Sequence, residues 1–140
     1  MSTVRVMKPQ PAGWSVDLFR DFWANPNLKQ IGDGSGVVTD DIVGYWPRPI
    51  GLVRGARDYM KVIAAVVEAD PNFTVRIGEH AATGDFTFIR WIATTRENGR
   101  PVEFSGCDRI RTRDGLACEN YVFCDHPYFE KVAARLREPT

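Results

Sequence analysis

Hydrophobic positions along the chain follow two periods: a helical one in residues 15–24, 55–70 and the C-terminal stretch, and a strand-like one between Phe73 and Asp125. Val16, Phe19 and Trp23 recur at helical spacing, with Phe22 widening the stripe. Ser15 stands ahead of them as an N-cap, and Asn25-Pro26-Asn27 stops the run, so the spacing predicts a helix to about Ala24 that packs on a sheet. The Gly32-Asp33-Gly34-Ser35-Gly36 run is loop chemistry after at most a short second helix, and it is expected to be the least ordered part of the chain. Ile42 to Trp46 is a short apolar stretch closed by Pro47-Arg48-Pro49, which suits the end of an edge strand with Tyr45 and Trp46 as wall residues. Tyr59, Val62, Ile63, Val66 and Val67 then form the broad apolar face of a helix from about Gly55 to Asp70, ended by Pro71.

The period then switches. Phe73 to Thr83 and Asp85 to Arg96 read as strands separated by Gly84, and Asn98-Gly99 turns the chain into Val102 to Thr112. The second of these strands sets Phe86, Phe88, Arg90 and Ile92 against Ile89, Trp91 and Ala93, so both of its faces are largely apolar. Such a strand is central in its sheet, with helices on one face and a partner subunit on the other, and a homodimer through the sheet is the expectation. After the last strand, Asp125 is positioned to cap a closing helix with Phe129, Val132, Ala133 and Leu136 on one stripe. Helices first, then a meander of long antiparallel strands, then a helix is an α+β order, and no internal repeat or low-complexity segment interrupts it.

Val102 to Asp125 folds back at Arg113-Asp114-Gly115 and carries Asp108 on an otherwise apolar face with Val102, Phe104, Gly106 and Ile110. Two hairpin loops fit: a two-residue Asp114-Gly115 turn, or a three-residue turn through Arg113 with Gly115 left-handed. The longer loop sets Asp108 opposite Asn120, Arg109 opposite Glu119 and Ile110 opposite Cys118, whereas the shorter forces Glu119 inward against Ile110, so the longer is expected. Asp108 is either a carboxylate held for structure, with Asn120 as partner, or a functional group. Burial without a cationic neighbour would raise its pKa well above about 3.9. Arg90 alone has the reach to reverse that, by entering the cavity; equally common is an arginine lying along apolar surface with its head in water.

Composition narrows the classes. The chain has 140 residues, 44% hydrophobic and 26% charged, which is enough for one domain with a sizeable core, read as residues 12–140 behind an N-terminal tail of 1–11. Lys plus Arg equals Asp plus Glu at 18 each, so no global field favours nucleic acid or an acidic membrane. No stretch approaches the roughly 20 apolar residues of a membrane span, and a cytoplasmic location is expected. Cys107, Cys118 and Cys124 are odd in number and lack paired ligand spacing, which argues for reduced thiols. His80 and His126 lie on different elements without spaced carboxylates, and Gly32 to Gly36 lacks the lysine and the strand-to-helix setting of a phosphate loop. No metal, nucleotide or other cofactor is expected. Cys124 near His126 reads as strand packing.

The order of elements, Thr39-Asp40-Asp41-Ile42-Val43, the Arg54-Gly55 helix start, and above all Ser105-Gly106-Cys107-Asp108-Arg109-Ile110-Arg111 with Asp114-Gly115 and Asp125 resemble the nuclear transport factor 2-like superfamily, in its SnoaL-like branch. The resemblance covers nearly everything after Ala12. It implies a curved antiparallel sheet wrapped into a cone around an apolar pocket, N-terminal helices closing the mouth, a short C-terminal helix, and dimers. It also sets Asp108 where ketosteroid isomerases keep a neutral aspartic acid, Phe19 where they have a partner tyrosine, and Trp46 where they have the carboxylate base. In SnoaL-like cyclases the position of Asp108 resembles that of a histidine. Val122 stands where those cyclases and limonene epoxide hydrolases have an acid/base aspartate.

Three functions follow as expectations. The first is a protein holding a small apolar or cyclic molecule in a pocket lined by Phe19, Trp23, Trp46, Tyr59, Phe88, Arg90, Phe104 and Val122, with Asp108 and Asn120 orienting the ligand. The second is an isomerase, dehydratase, cyclase or hydrolase with Asp108 as general acid or base. The third is a protein-interaction role through the sheet.

Overall fold

A computed structural model describes residues 13–138, so the predicted tail of 1–11 and its boundary lie outside the described residues. In chain order the elements are α1 (Val16–Ala24), a 3-10 turn (Leu28–Gln30), β1 (Val38–Trp46), β2 (Gly51–Arg54), α2 (Ala56–Glu68), β3 (Thr74–Thr83), β4 (Phe86–Glu97), β5 (Arg100–Arg113), β6 (Leu116–Phe123) and α3 (Tyr128–Leu136). All six strands form one sheet in the order β2-β1-β6-β5-β4-β3. The α+β class holds, with one departure from an all-antiparallel sheet: β1 runs parallel to β6. The sheet is curved but not closed. Ile42–Trp46 is also not an edge, because β1 pairs with both β2 and β6 and the edge falls to the short β2.

Ser15 caps α1 as its sequence predicts, its Oγ accepting from Leu18 N at 3.0 Å, and Phe19 and Phe22 are buried. The approach to α1 is tied to the far hairpin: Trp14 N–H donates to Gly115 O at 2.8 Å, and Gly13 N–H to Gly36 O at 2.8 Å. In α2, Tyr59, Val62, Ile63 and Val66 are buried, the stripe read from spacing. Asp125 does not cap α3. Pro127 takes the cap position, and His126 Nδ1 accepts the Tyr128 N–H at 3.0 Å instead. Leu136 is 37% exposed, whereas Tyr128, which sequence spacing passed over, is 1% exposed and donates its hydroxyl to Val66 O at 2.7 Å.

The β5–β6 hairpin uses the shorter loop. Arg113 pairs with Leu116, and Asp114 (φ 55°) and Gly115 (φ 80°) both take the left-handed conformation that a two-residue primed turn requires. An extra residue on β6 then shifts the register between Arg111 and Thr112, so Ile110 stands opposite Asn120 and Asp108 opposite Val122. This bulge is what keeps Glu119 out and Asn120 in. Arg109 faces Tyr121 directly, not Glu119 as the longer loop would have it, and reaches Glu119 diagonally in an ion pair.

On β4 the alternation sorts the faces: Ile89, Trp91, Ala93 and Thr95 are buried, while Phe88 is 40% exposed on the outer face. A second bulge, between Ile77 and Glu79 of β3, puts Gly78 beneath Arg90, whose Nε donates to Glu79 Oε1 at 2.6 Å. Core side chains therefore gather between the inner face of the sheet and the three helices.

Candidate functional site

A cavity of about 100 Å³ lies between α1, α2 and the inner face of the sheet, and Phe129 of α3 also lines it. Of the residues expected to line a pocket, Phe19, Trp23, Trp46, Tyr59, Asp108, Asn120 and Val122 do so. Three do not. Phe88 and Arg90 point to the outer face, because β4 turns its odd-numbered residues inward. Phe104 is on the inner face but packs away from the cavity, stacked on the His126 ring at 4.0 Å.

The polar part of the wall holds two hydrogen-bonded pairs. Trp91 Nε1 donates to Asp108 Oδ1 at 2.9 Å, and Asn120 Nδ2 donates to the Tyr59 hydroxyl oxygen at 2.7 Å. Asp108 and Asn120 are 6% and 5% exposed. Burial pushes the Asp108 carboxyl up to about 7, against smaller downward pulls from its hydrogen bonds with Trp91 and Asn120. Burial likewise pushes the Tyr59 hydroxyl up, with the negative charge of Asp108 adding to the effect and the Asn120 hydrogen bond opposing it. Tyr59 therefore remains a protonated phenol. Asp108 and Tyr59 are the titratable side chains on this wall, so no cation offsets the carboxylate there.

Trp91 is the residue that sequence reading missed. Its inward parity was legible, and a second signal lay in Gly106, two positions before Asp108: a Cβ there would sit 2.4 Å from Trp91 Cζ2 and 2.6 Å from Phe123 O. A glycine on the inner face makes room for the indole, and the indole supplies the donor that Asp108 needs. Gly44 plays the same part for Trp46 and Tyr59, since a Cβ would meet Trp46 Nε1 at 2.6 Å and Tyr59 Cδ1 at 2.9 Å. Among the described residues no cluster of three or more His, Cys, Asp or Glu side chains is arranged to hold a metal ion.

The SnoaL-like domain family matches residues 16–120, which take in α1 through most of β6. The chain belongs to the SnoaL-like domain family. Solved structures with the same fold include an NTF2-like protein from Exiguobacterium sp. 255-15, at 18% identity and a TM-score of 0.63, covering 79% of this chain and 97% of that one. A protein from Jannaschia sp. CCS1, provisionally described as a SnoaL-like polyketide cyclase, is 16% identical with a TM-score of 0.65, covering 96% of this chain and 100% of its own. TerC, solved with polyporic acid, is 14% identical with a TM-score of 0.66, covering 85% of this chain and 95% of that one. At these identities the likeness speaks for the fold alone. Curated protein sequences give no match. Among the described residues, no helix of this SnoaL-like domain is long and apolar enough to cross a membrane.

Proposed function

We propose that this SnoaL-like domain binds a small apolar or cyclic molecule in the cavity beneath α1. The observation that carries the reading is an aromatic enclosure whose polar groups, Asp108, Asn120, Tyr59 and Trp91, converge on one stretch of wall, the usual composition of a small-molecule site. Size bounds the occupant: an apolar cavity of roughly 150 Å³ admits benzene, so one of about 100 Å³ takes at most a single small ring. The test follows the indole N–H signals of Trp46 and Trp91 while one-ring compounds are titrated in. Saturable shifts of those two signals are expected, and their absence across the whole panel sinks the reading.

An enzymatic role rests on one further observation, the Asp108 carboxyl at about 7, where it both gives and takes a proton near neutrality. Turnover of apolar carbonyl, epoxide or polyketide-like substrates that is lost in Asp108→Asn would establish it. No turnover from either protein leaves a binder.

The outer face supports a second copy of the chain as partner. Tyr45 stacks on Tyr121 at 4.8 Å and Tyr121 on Phe123 at 4.5 Å, with Leu52 and Phe88 exposed on the same side. The arginines there are already paired, Arg109 with Glu119 and Arg111 with Asp85, so a self-complementary contact need not cover unpartnered guanidinium groups at these two positions. Solution in the cell interior, without membrane or nucleic acid partners, is the setting this reading assumes.

A further inference from the structure

Two concavities meet at one seam. Besides the cavity of about 100 Å³, a surface cleft of about 640 Å³ opens at the end of the sheet, between Pro47 and Arg48 after β1 and Phe123, Cys124 and Asp125 at the end of β6. Trp46 and Val122 line both. The strands part here: pairing of β1 with β6 ends at Tyr45 opposite Tyr121, one residue short of each, while Trp46 pairs with Gly51 of β2 and Val122 with Asp108 of β5. The indole is held by packing. Its Nε1–H is buried without a hydrogen-bond partner among the described residues, and the Tyr59 and Phe129 rings flank it at 5.5 and 6.5 Å between centroids. Swinging it breaks no side-chain hydrogen bond. Opening the cavity beneath α1 would instead move a helix capped by Ser15 and tied at its approach through Gly13 and Trp14.

We infer that small apolar molecules reach the cavity through this cleft, and that the Trp46 indole is the gate between the two. The inference rests on the small-molecule reading above and adds the route to it. Leu52 and Phe123, 49% and 50% exposed on the cleft, supply apolar surface on which such a molecule first settles. Val122 is β-branched and stiff at χ1, so the indole is the moving part. A gate of this kind acts on rates: it sets how fast a ligand enters and leaves the cavity.

Cyclopentane, a single small ring, tests the route in the unaltered protein, in Trp46→Leu, and in Trp46→Leu combined with Asp125→Trp. Its on-rate is read from NMR line shapes at the Trp91 indole N–H, because shortening Trp46 also enlarges the cavity and changes affinity. Tyr121 and Phe123 also belong to the outer-face contact proposed above, so all rates are compared at one protein concentration. Trp46→Leu should raise the on-rate about tenfold, the step that about 1.4 kcal/mol off a barrier represents. Asp125→Trp, which narrows the cleft at a position that does not line the cavity, should take most of that gain back. The unaltered protein gives a second readout that needs no variant to fold: relaxation dispersion is expected at the Trp46 indole N–H. An on-rate indifferent to Trp46→Leu, a gain that survives Asp125→Trp, or a Trp46 signal without dispersion while cyclopentane exchanges overturns the gate. Saturable shifts alongside any of these leave the cavity reading intact with entry elsewhere, and no shifts with any one-ring compound remove both.

Discussion

Asn120 is the diagonal neighbour of Asp108, not its direct partner: Val122 stands opposite Asp108, and Asn120 opposite Ile110. With this offset, Asn120 Nδ2 donates to the Tyr59 hydroxyl on α2 at 2.7 Å while the Asp108 carboxyl on β5 accepts from Trp91 at 2.9 Å. A direct pairing would have aimed the amide across the strands. The diagonal aims it toward the Tyr59 hydroxyl on the cavity wall.

The Asp108→Asn variant should show where the protein holds its extra proton. This carboxyl moves from about 3.8 in the unfolded chain to about 7 in the fold. Its contribution to stability is therefore complete below about 3.8, falls as pH rises through about 7, and is level above. Asparagine removes that penalty while its Oδ1 still accepts from Trp91. The stability of Asp108→Asn relative to the parent should climb by up to about 4 kcal/mol between about pH 4 and 8 in denaturant titrations. A constant difference across that range contradicts the raised value. Asp70 works in a separate window: burial alone would raise it, but hydrogen bonds from Asn72, Thr95 and Arg96 bring it to about 2, so its contribution is lost only as pH falls below about 3.8.

Trp91→Phe removes the donor to Asp108 Oδ1 and keeps most of the ring volume. Because that hydrogen bond lowers the carboxyl, its loss should raise the titration midpoint above about 7, read by side-chain carboxyl carbon shifts. A lower midpoint would mean that water enters the space and resolvates the charge.

Arg90→Leu should leave the same titration unmoved. The guanidinium lies over Gly78 and pairs with Glu79 on the outer face, with the whole sheet between it and the cavity. A shift in the Asp108 midpoint in this variant would place Arg90 inside.

Helix stripes were legible because burial imposes their spacing, and Phe19, Tyr59 and Phe129 all face inward as read. The inward aim of Asp108 was legible for the same reason. Hairpin register was not, because a bulge leaves no mark in alternation: Asn120 reached the expected face through a two-residue turn plus an extra residue, not through a three-residue turn. Phe88 and Arg90 were assigned to the pocket because an apolar run on β4 does not say which face is inside. That choice is made by Gly106 and Gly78, whose missing side chains admit Trp91 on one side and Arg90 on the other.

Gly115→Val should destabilise the fold. Nothing lies within 4 Å of a Cβ at this position, so the cost comes from backbone conformation, a β-branched residue resisting φ 80°. The cost is expected at about 1–2 kcal/mol, seen as a lower melting temperature, with a further loosening of Trp14, whose N–H is held by the Gly115 carbonyl. Unchanged melting would contradict the turn.

The outer face makes the last prediction. Phe123 is 50% exposed beside the Tyr45–Tyr121 stack, and Phe86 is covered instead by the guanidinium of Arg109 at 5.2 Å from its centroid. The unshielded aromatic surface thus lies over β1 and β6, and a second copy meeting it across a two-fold axis buries the same residues from both sides. Sedimentation at micromolar concentration should show a dimer. Phe123→Glu places a carboxylate at the proposed contact without touching the cavity, so it should yield a monomer that keeps the saturable Trp46 and Trp91 shifts. A monomeric parent protein removes the dimer, and a Phe123→Glu protein that stays dimeric moves the contact elsewhere.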